Sequence, residues 1–451
     1  MTAAGTVAGK APSGYSARFP YLLGCLFFFL ICIPGSFELS SGISLGMVAL
    51  LVFFPIWFGA ARMRQAQIFD DEARLCTGII LGCTGFLIFW AVLSVLDADD
   101  PVRSGRTIVS LVGFASTFLL LIGTATEDRL KTYVGILCWT LAATCVISFL
   151  AYFEPTLRRI IFLDTDRAQG FFKNPNQFGM AISTLIPVTV GCSLAAREGR
   201  GAWIACFLML VLGLILSGSK TNLMLSVLTA TAMVMAVLFM SYSGAARFQA
   251  MIAGLGGIAV FLAAMVALLW VLNPRALTIL TTFLFEDGEV NSLASRSVLW
   301  KDSMRQFIEQ PILGQGAGQP LDYIQQNRFV PHSHNVFLEY MRTLGAPGLV
   351  AVTVMLGTVI VTGMRSILIA LRATTASLSA RTMTIGLLLG SLSYVAANLS
   401  SDSMGPSTSP FLCATLFLGL IARSVLVGPV ARDTPARVRG VSPDYWQGSG
   451  P

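Results

Sequence analysis

The sequence predicts an all-α polytopic membrane protein with about 12 transmembrane helices and one long helical loop on the outer face. Three observations predict it. Of 451 residues, 55% are hydrophobic and only 12% charged, where a soluble domain carries roughly a quarter charged residues. The mean hydropathy is +0.74. The charges also gather between apolar runs, several near the roughly 20 residues that cross a bilayer.

In chain order the runs lie near 20–36, 42–60, 76–96, 107–125, 133–153, 178–196, 202–217, 222–242, 250–272, 345–364, 382–399 and 409–427. The first does not read as a cleaved signal peptide. Few positive charges flank it, no small-residue cleavage site follows, and further spans come after it. The chain thus divides into residues 1–272 (nine spans with short loops), 273–344 (the long outer loop), 345–427 (three spans) and 428–451. The last segment is Pro/Gly/Ser-rich and expected to be a flexible cytoplasmic tail.

The nine cysteines fall inside or at the edges of apolar runs, so no disulfide framework is indicated, and no Cys/His spacing fits zinc. They read as small core residues. The net charge of +7 is topological and does not indicate a nucleic-acid partner.

Basic residues in short loops mark the cytoplasmic side. With both termini inside, 17 of the 30 basic residues are cytoplasmic. Arg342 is assigned to neither face, and the outer basic residues are clustered. They form four groups: Arg103 and Arg106; Arg158, Arg159, Arg167 and Lys173; Lys220; and Arg275, Arg296, Lys301, Arg305 and Arg328. Cations gathered against the topology rule fit a polyanionic ligand, because guanidinium forks bind phosphate oxygens. The alternative is pairing with outer acids such as Asp164, Asp166, Glu286, Asp287 and Glu289.

Lys220 lies in Ser217-Gly218-Ser219-Lys220-Thr221-Asn222, a short polar hinge between two runs. An ionisable residue this near the hydrocarbon is a functional-site candidate; snorkelling is the alternative. In the outer loop, Trp300, Met304, Phe307 and Ile308 recur at helical spacing within 295–308, and Pro311 ends the pattern. Arg296, opposite that stripe and near the helix start, is a phosphate candidate. Gly314-Gln315-Gly316-Ala317-Gly318 reads as a tight turn, since the strand and helix of a nucleotide loop are missing.

His332 and His334, the two histidines of the chain, close the loop in Pro331-His332-Ser333-His334-Asn335. The following residues fit a surface helix leading into the next span, with His334 at its start. Histidine suits proton transfer near neutral pH; a solvated interfacial histidine is the alternative. Asp97-Ala98-Asp99-Asp100-Pro101 has the form of an acidic metal-binding pair, or of a cap and turn after a span.

Taken together, the motifs resemble the O-antigen ligase and Wzy polymerase superfamily of bacterial envelope glycosyltransferases. His334-Asn335, nine residues, then Gly345-Ala346-Pro347-Gly348 is similar to the family pattern His-[Asn/Ser/Gln]-x9-Gly-x-x-Gly. Arg167-Ala168-Gln169-Gly170 with Asn174-Pro175-Asn176 resembles a second element, and Ser295-Arg296 with Trp300 a third. Ser217-Gly218-Ser219-Lys220 is similar to a fourth, although the family usually has Arg where this chain has Lys220. The likeness covers roughly 76–425.

The resemblance implies a GT-C-like, metal-independent and cofactor-free inverting glycosyltransferase of the Gram-negative inner membrane. Its donor would be undecaprenyl-diphosphate-linked O-antigen, its acceptor lipid A–core oligosaccharide, and its active site would face the periplasm, in contact with membrane lipids. His334 would be catalytic. Arg296, Lys220, Arg167 and Lys173 would bind diphosphate, with Asn335, Asn174, Asn176 and His332 supporting. An O-antigen polymerase or protein O-oligosaccharyltransferase would use the same donor type. A secondary transporter is the rival from another class, although it calls for two related halves and polar breaks at mid-membrane, which the sequence does not show.

Overall fold

The computed structural model describes residues 14–33, 38–40, 43–44, 58, 61, 69–125, 127–151, 153–161, 167–196, 198–272, 291–322, 324–325, 328–329, 332–400 and 408–432. Thirteen helices run through them: α1 Gly14–Leu30, α2 Asp71–Ser94, α3 Pro101–Thr124, α4 Glu127–Leu150, α5 Pro155–Ile161, α6 Pro175–Ala195, α7 Arg200–Ser217, α8 Lys220–Ser241, α9 Gly244–Leu272, α10 Asn291–Glu309, α11 Val336–Arg372, α12 Leu378–Ala397 and α13 Ser409–Arg432. A 3-10 turn at Val95–Asp97 and two small antiparallel ladders, Glu38–Ser40 with Ile43–Ser44 and Ile324–Gln325 with Arg328–Phe329, complete the described elements.

Ten of these helices are long and apolar enough to cross a membrane, and each overlaps an expected span. Of the other two expected spans, the first is α1, whose apolar part Tyr21–Leu30 is shorter. The span near 42–60 falls outside the described residues apart from Ile43–Ser44 and Phe58. Among the described residues, ten of the 12 expected spans are therefore matched.

Helices α6, α12 and α13, the most buried of the spans, form the centre. Glycines set how closely they approach. A Cβ on Gly386 of α12 would stand 2.8 Å from the Val188 Cα of α6.

One end of the bundle is closed by arginines, of which Arg423 and Arg381 are buried. Arg423 of α13 binds Glu72 at 2.5 Å and Ser366 at 3.1 Å, joining α2, α11 and α13. Arg381 donates to the carbonyls of Ala370 and Leu371, and Arg200 to that of Ser193. Arg381 and Arg200 serve carbonyl-rich helix ends, where the macrodipole favours positive charge.

The opposite end gathers the turns 95–100, 167–174 and 218–219, helices α5 and α10, and residues 398–400 after α12. The nine cysteines are free thiols, buried or partly buried.

Candidate active site

The expected span 345–364 is the middle of a longer element, α11, which Gly345 divides. Gly345 has φ 65° and ψ −164° inside an otherwise helical run. A side chain there would collide with the Ile312 carbonyl. The Ala346 amide bonds to the Pro311 carbonyl at 2.8 Å. Residues 336–344 therefore form a separate helix at the bundle end, as expected, and 346–372 form the crossing segment.

Asn335 begins that helix. Its Oδ1 accepts from the Phe337 and Leu338 amides at 3.0 and 3.2 Å, and its Nδ2 donates to the Leu399 carbonyl at 3.1 Å. Asn335 is thus an N-cap and a tether to the end of α12. Just before it, His334 has φ 52°, the one non-glycine residue with positive φ among those described. Its ring meets that of His332 edge-on at 4.9 Å between centroids.

Ser333, between the histidines, is buried and sits in a polar network. Its amide and hydroxyl donate to Glu339 Oε2 at 2.8 and 2.9 Å. Its carbonyl accepts from Trp300 Nε1 at 3.1 Å, and its Oγ lies 2.8 Å from the Ser303 hydroxyl. Arg342 has a fully buried side chain. It pairs with both Glu339 oxygens at 2.7 and 2.9 Å and donates to Ser333 Oγ and the Pro320 carbonyl.

Helix α10 turns a different face inward from the one its apolar pattern predicts. Leu299, Ser303 and Gln306 are buried, while Val298, Met304 and Ile308 are exposed. The polar residues face in because the Ser333–Arg342 network bonds them. Arg296, three residues before Leu299, shares this inward face. Because α10 starts at Asn291, Arg296 occupies the second turn, away from the free first-turn amides invoked for it. Burial pushes its guanidinium pKa below the ordinary value.

Arg296, Lys220 and Arg167 converge. Lys220 begins α8 and lies within the electrostatic reach of both arginines. Arg167 donates Nε to the Ser217 carbonyl at 2.7 Å and Nη2 to Asn176 Oδ1 at 2.8 Å. It therefore closes the end of α7 and brings its charge beside Lys220. Asn176 passes the link on: its carbonyl accepts from Asn222 Nδ2 at 3.0 Å. Asn174 caps α6 through the Gln177 amide at 2.9 Å. Lys173, just before α6, is itself exposed between half-buried and buried neighbours.

Residues 398–400 couple the two halves of the site. The Ser400 hydroxyl donates to Thr221 Oγ1 at 3.2 Å, next to Lys220. The Leu399 and Asn398 carbonyls accept from Asn335 and from the Val336 amide, next to His334.

Other outer cations have different surroundings. Arg305 is paired with Asp302, Glu309 and Asp322, and the Asp302 hydrogen bond leads in pushing its pKa up. This is the acid pairing weighed against ligand binding. Arg158 and Arg159 are exposed on α5. Arg275 and the acids Asp164, Asp166, Glu286, Asp287 and Glu289 lie outside the described residues, as does the side chain of Arg328.

The glycine-rich run is a docking turn. Positive φ angles at Gly314, Gly316 and Gly318 fold it against Thr343, Ala98 and Thr107. Asp100 caps α3 through the Arg103 amide at 3.1 Å, while its amide and carbonyl bond the Gln319 side chain at 3.1 and 2.9 Å. Among the described residues, no group of three or more His, Cys, Asp or Glu side chains could hold a metal ion.

Residues 185–353 match the family model described as O-antigen ligase. The matched stretch is less than half of the chain. It includes Lys220, Arg296 and His334 and ends shortly after Gly348; Arg167, Lys173, Asn174 and Asn176 precede it. No curated protein matches the chain. The family implies glycosyltransferase-like activity in general, with polysaccharide or lipid-linked substrates. Over residues 185–353 the chain is therefore similar to the O-antigen ligase family.

Proposed function

We propose that this protein is an O-antigen ligase of the Gram-negative inner membrane. It transfers O-antigen polysaccharide from undecaprenyl diphosphate to lipid A–core oligosaccharide on the periplasmic side. One observation carries the reading: Lys220, held with Arg167 and Arg296, shares a bundle end with His334, and residues 398–400 tie the two together.

In this reading His334 accepts the proton of an acceptor hydroxyl as its oxygen bonds to the anomeric carbon of the donor. The bond from that carbon to the diphosphate oxygen breaks on the opposite face, so the anomeric centre inverts. The leaving diphosphate takes the electron pair, and Lys220, Arg296 and Arg167 stabilise the charge. Fixed cations aimed at developing charge contribute strongly where water is excluded, and a held diphosphate also aligns the donor for attack. Lys173, exposed beside this group, would meet the donor's outer phosphate or first sugar. His332 would support His334 through ring packing.

The test is purified protein in proteoliposomes with lipid-linked O-antigen and lipid A–core. Glycan-extended lipid A–core is the expected product. Extension of one lipid-linked glycan by another, with lipid A–core untouched, would make the protein a polymerase instead.

A further inference from the structure

A cavity of about 770 Å³ lies at the bundle end opposite His334, within the roughly 300–1,000 Å³ typical of ligand sites. Four helix ends frame it. Lys131 stands near the start of α4, Ala195 at the end of α6, and Glu198 in the turn that follows. Trp203 lies in the first turn of α7, and Ser379 and Met383 in the first two turns of α12. The 21 residues of α6 cover about 30 Å at 1.5 Å per residue, so this cavity and the Arg167–Asn176 contact lie at opposite ends of one helix. The walls are fixed. A Cβ on Gly191 of α6 would stand 3.2 Å from the Thr382 carbonyl of α12, and Arg200 holds the α6–α7 turn through the Ser193 carbonyl at 2.8 Å.

The arginines that close this end are engaged within the protein: Arg423 with Glu72, Arg381 with the Ala370 and Leu371 carbonyls, Arg200 with that of Ser193. Lys131 and Glu198 are not. Both are exposed at the cavity, and neither makes an ion pair or a side-chain hydrogen bond among the described residues. The indole N–H of half-buried Trp203 likewise has no acceptor among them. Its ring, Ala195 and buried Met383 make the interior apolar. The ends of spanning helices mark the membrane interface, the depth that tryptophan favours. A cation, an anion and neutral donors over an apolar interior, at that depth, match a headgroup that carries both charges and is joined to hydrocarbon. We propose that the cavity binds one zwitterionic aminophospholipid of the leaflet opposite the candidate active site, with its phosphate at Lys131 and its ammonium at Glu198. A purely anionic headgroup would set its charge beside Glu198 with no ammonium to answer it. The site stands apart from the donor reading. Its occupant joins the start of α12 to the end of α6, the helices whose other ends lead to residues 398–400 and carry Asn176.

The test is lipid binding to the purified full-length chain in maltoside detergent. Phosphatidylethanolamine or phosphatidylglycerol with brominated acyl chains is titrated in, and quenching of tryptophan fluorescence reads occupancy. The parent should bind phosphatidylethanolamine about fivefold more tightly than phosphatidylglycerol, the upper range for one exposed ion pair. Trp203→Phe should remove the saturable quenching. Glu198→Gln should bring the two affinities together, Glu198→Lys should reverse their order, and Lys131→Ala should weaken both. Asp71 is exposed at the same bundle end but outside the cavity, so Asp71→Lys makes the same charge change and should leave the ratio unmoved.

Equal affinities in the parent, or a ratio that Glu198→Gln and Glu198→Lys both leave unchanged, overturn the site. So does an equal reversal in Asp71→Lys, which would make the preference one of general surface charge. Saturable quenching that survives Trp203→Phe places the lipid elsewhere and also overturns it. Soluble glycerophosphoethanolamine separates the sources of the headgroup. Failure to displace the brominated lipid supports a membrane lipid, and full displacement at equal concentration makes the ligand a soluble zwitterion and overturns the lipid assignment.

Discussion

Ser333 donates both its backbone N–H and its hydroxyl to one carboxylate oxygen of Glu339, at 2.8 and 2.9 Å. The next residue, His334, holds a left-handed backbone with φ 52°, a conformation that costs a non-glycine residue on the order of 1–3 kcal/mol. The two hydrogen bonds from Ser333, with Trp300 on its carbonyl, fix the turn that sets the direction of the histidine. Ser333→Ala should therefore cost about 1–3 kcal/mol in stability through the unsatisfied network. It should also lower kcat on the order of ten- to a hundredfold by misplacing His334. Thermal unfolding and the transfer assay read the two effects separately. A kcat equal to the parent's would make the network structural only.

Arg342 lies at the centre of that network with no exposed side-chain surface, and Glu339 is 15% exposed. Removing one partner of such a pair leaves an uncompensated buried charge, worth about 3–5 kcal/mol. Arg342→Met should lower the unfolding midpoint sharply, and adding Glu339→Gln should recover part of the loss. Equal midpoints for Arg342→Met and the parent would contradict the pairing.

Much of this was legible in the sequence, and for definite reasons. Length and hydropathy located the ten crossing helices, because a span must be both long and apolar. The loop glycine Gly345 and cap residue Asn335 carried the helix start and break, which are local properties. Helix α10 was also found, but its inward face was not. Apolar spacing nominated Trp300, Met304, Phe307 and Ile308, whereas Ser303 and Gln306 turn in to meet the Ser333–Arg342 network. Partners so distant in sequence leave no periodic signal. The same applies to Ser400 on Thr221 and Gln319 on Asp100. Arg342 could be assigned to neither face because its pairing, not its position in the chain, decides where it sits.

The outer cations should divide by function. Lys220→Ala and Arg296→Ala should each lower kcat on the order of 10²–10³-fold, as loss of a group stabilising transition-state charge does. Lys220→Arg should keep most activity, since the charge remains. Arg305→Ala should leave turnover unchanged, because Asp302, Glu309 and Asp322 already engage that guanidinium. Steady-state kinetics on the four variants test the division. Similar losses from Arg305→Ala and Lys220→Ala would dissolve it.

Turnover should persist in excess EDTA, because the cation group supplies the charge stabilisation assigned to it. Activity that EDTA abolishes and a divalent ion restores would return Asp97, Asp99 and Asp100 to consideration as metal ligands.

The central claim is that His334 takes the acceptor proton at a site built around a diphosphate. Its most direct test is single-turnover transfer from lipid-linked O-antigen to lipid A–core by His334→Ala, with donor binding measured on the same preparation. The account predicts a folded protein that binds donor normally and makes no extended lipid A–core. Transfer at the parent rate by His334→Ala would contradict it.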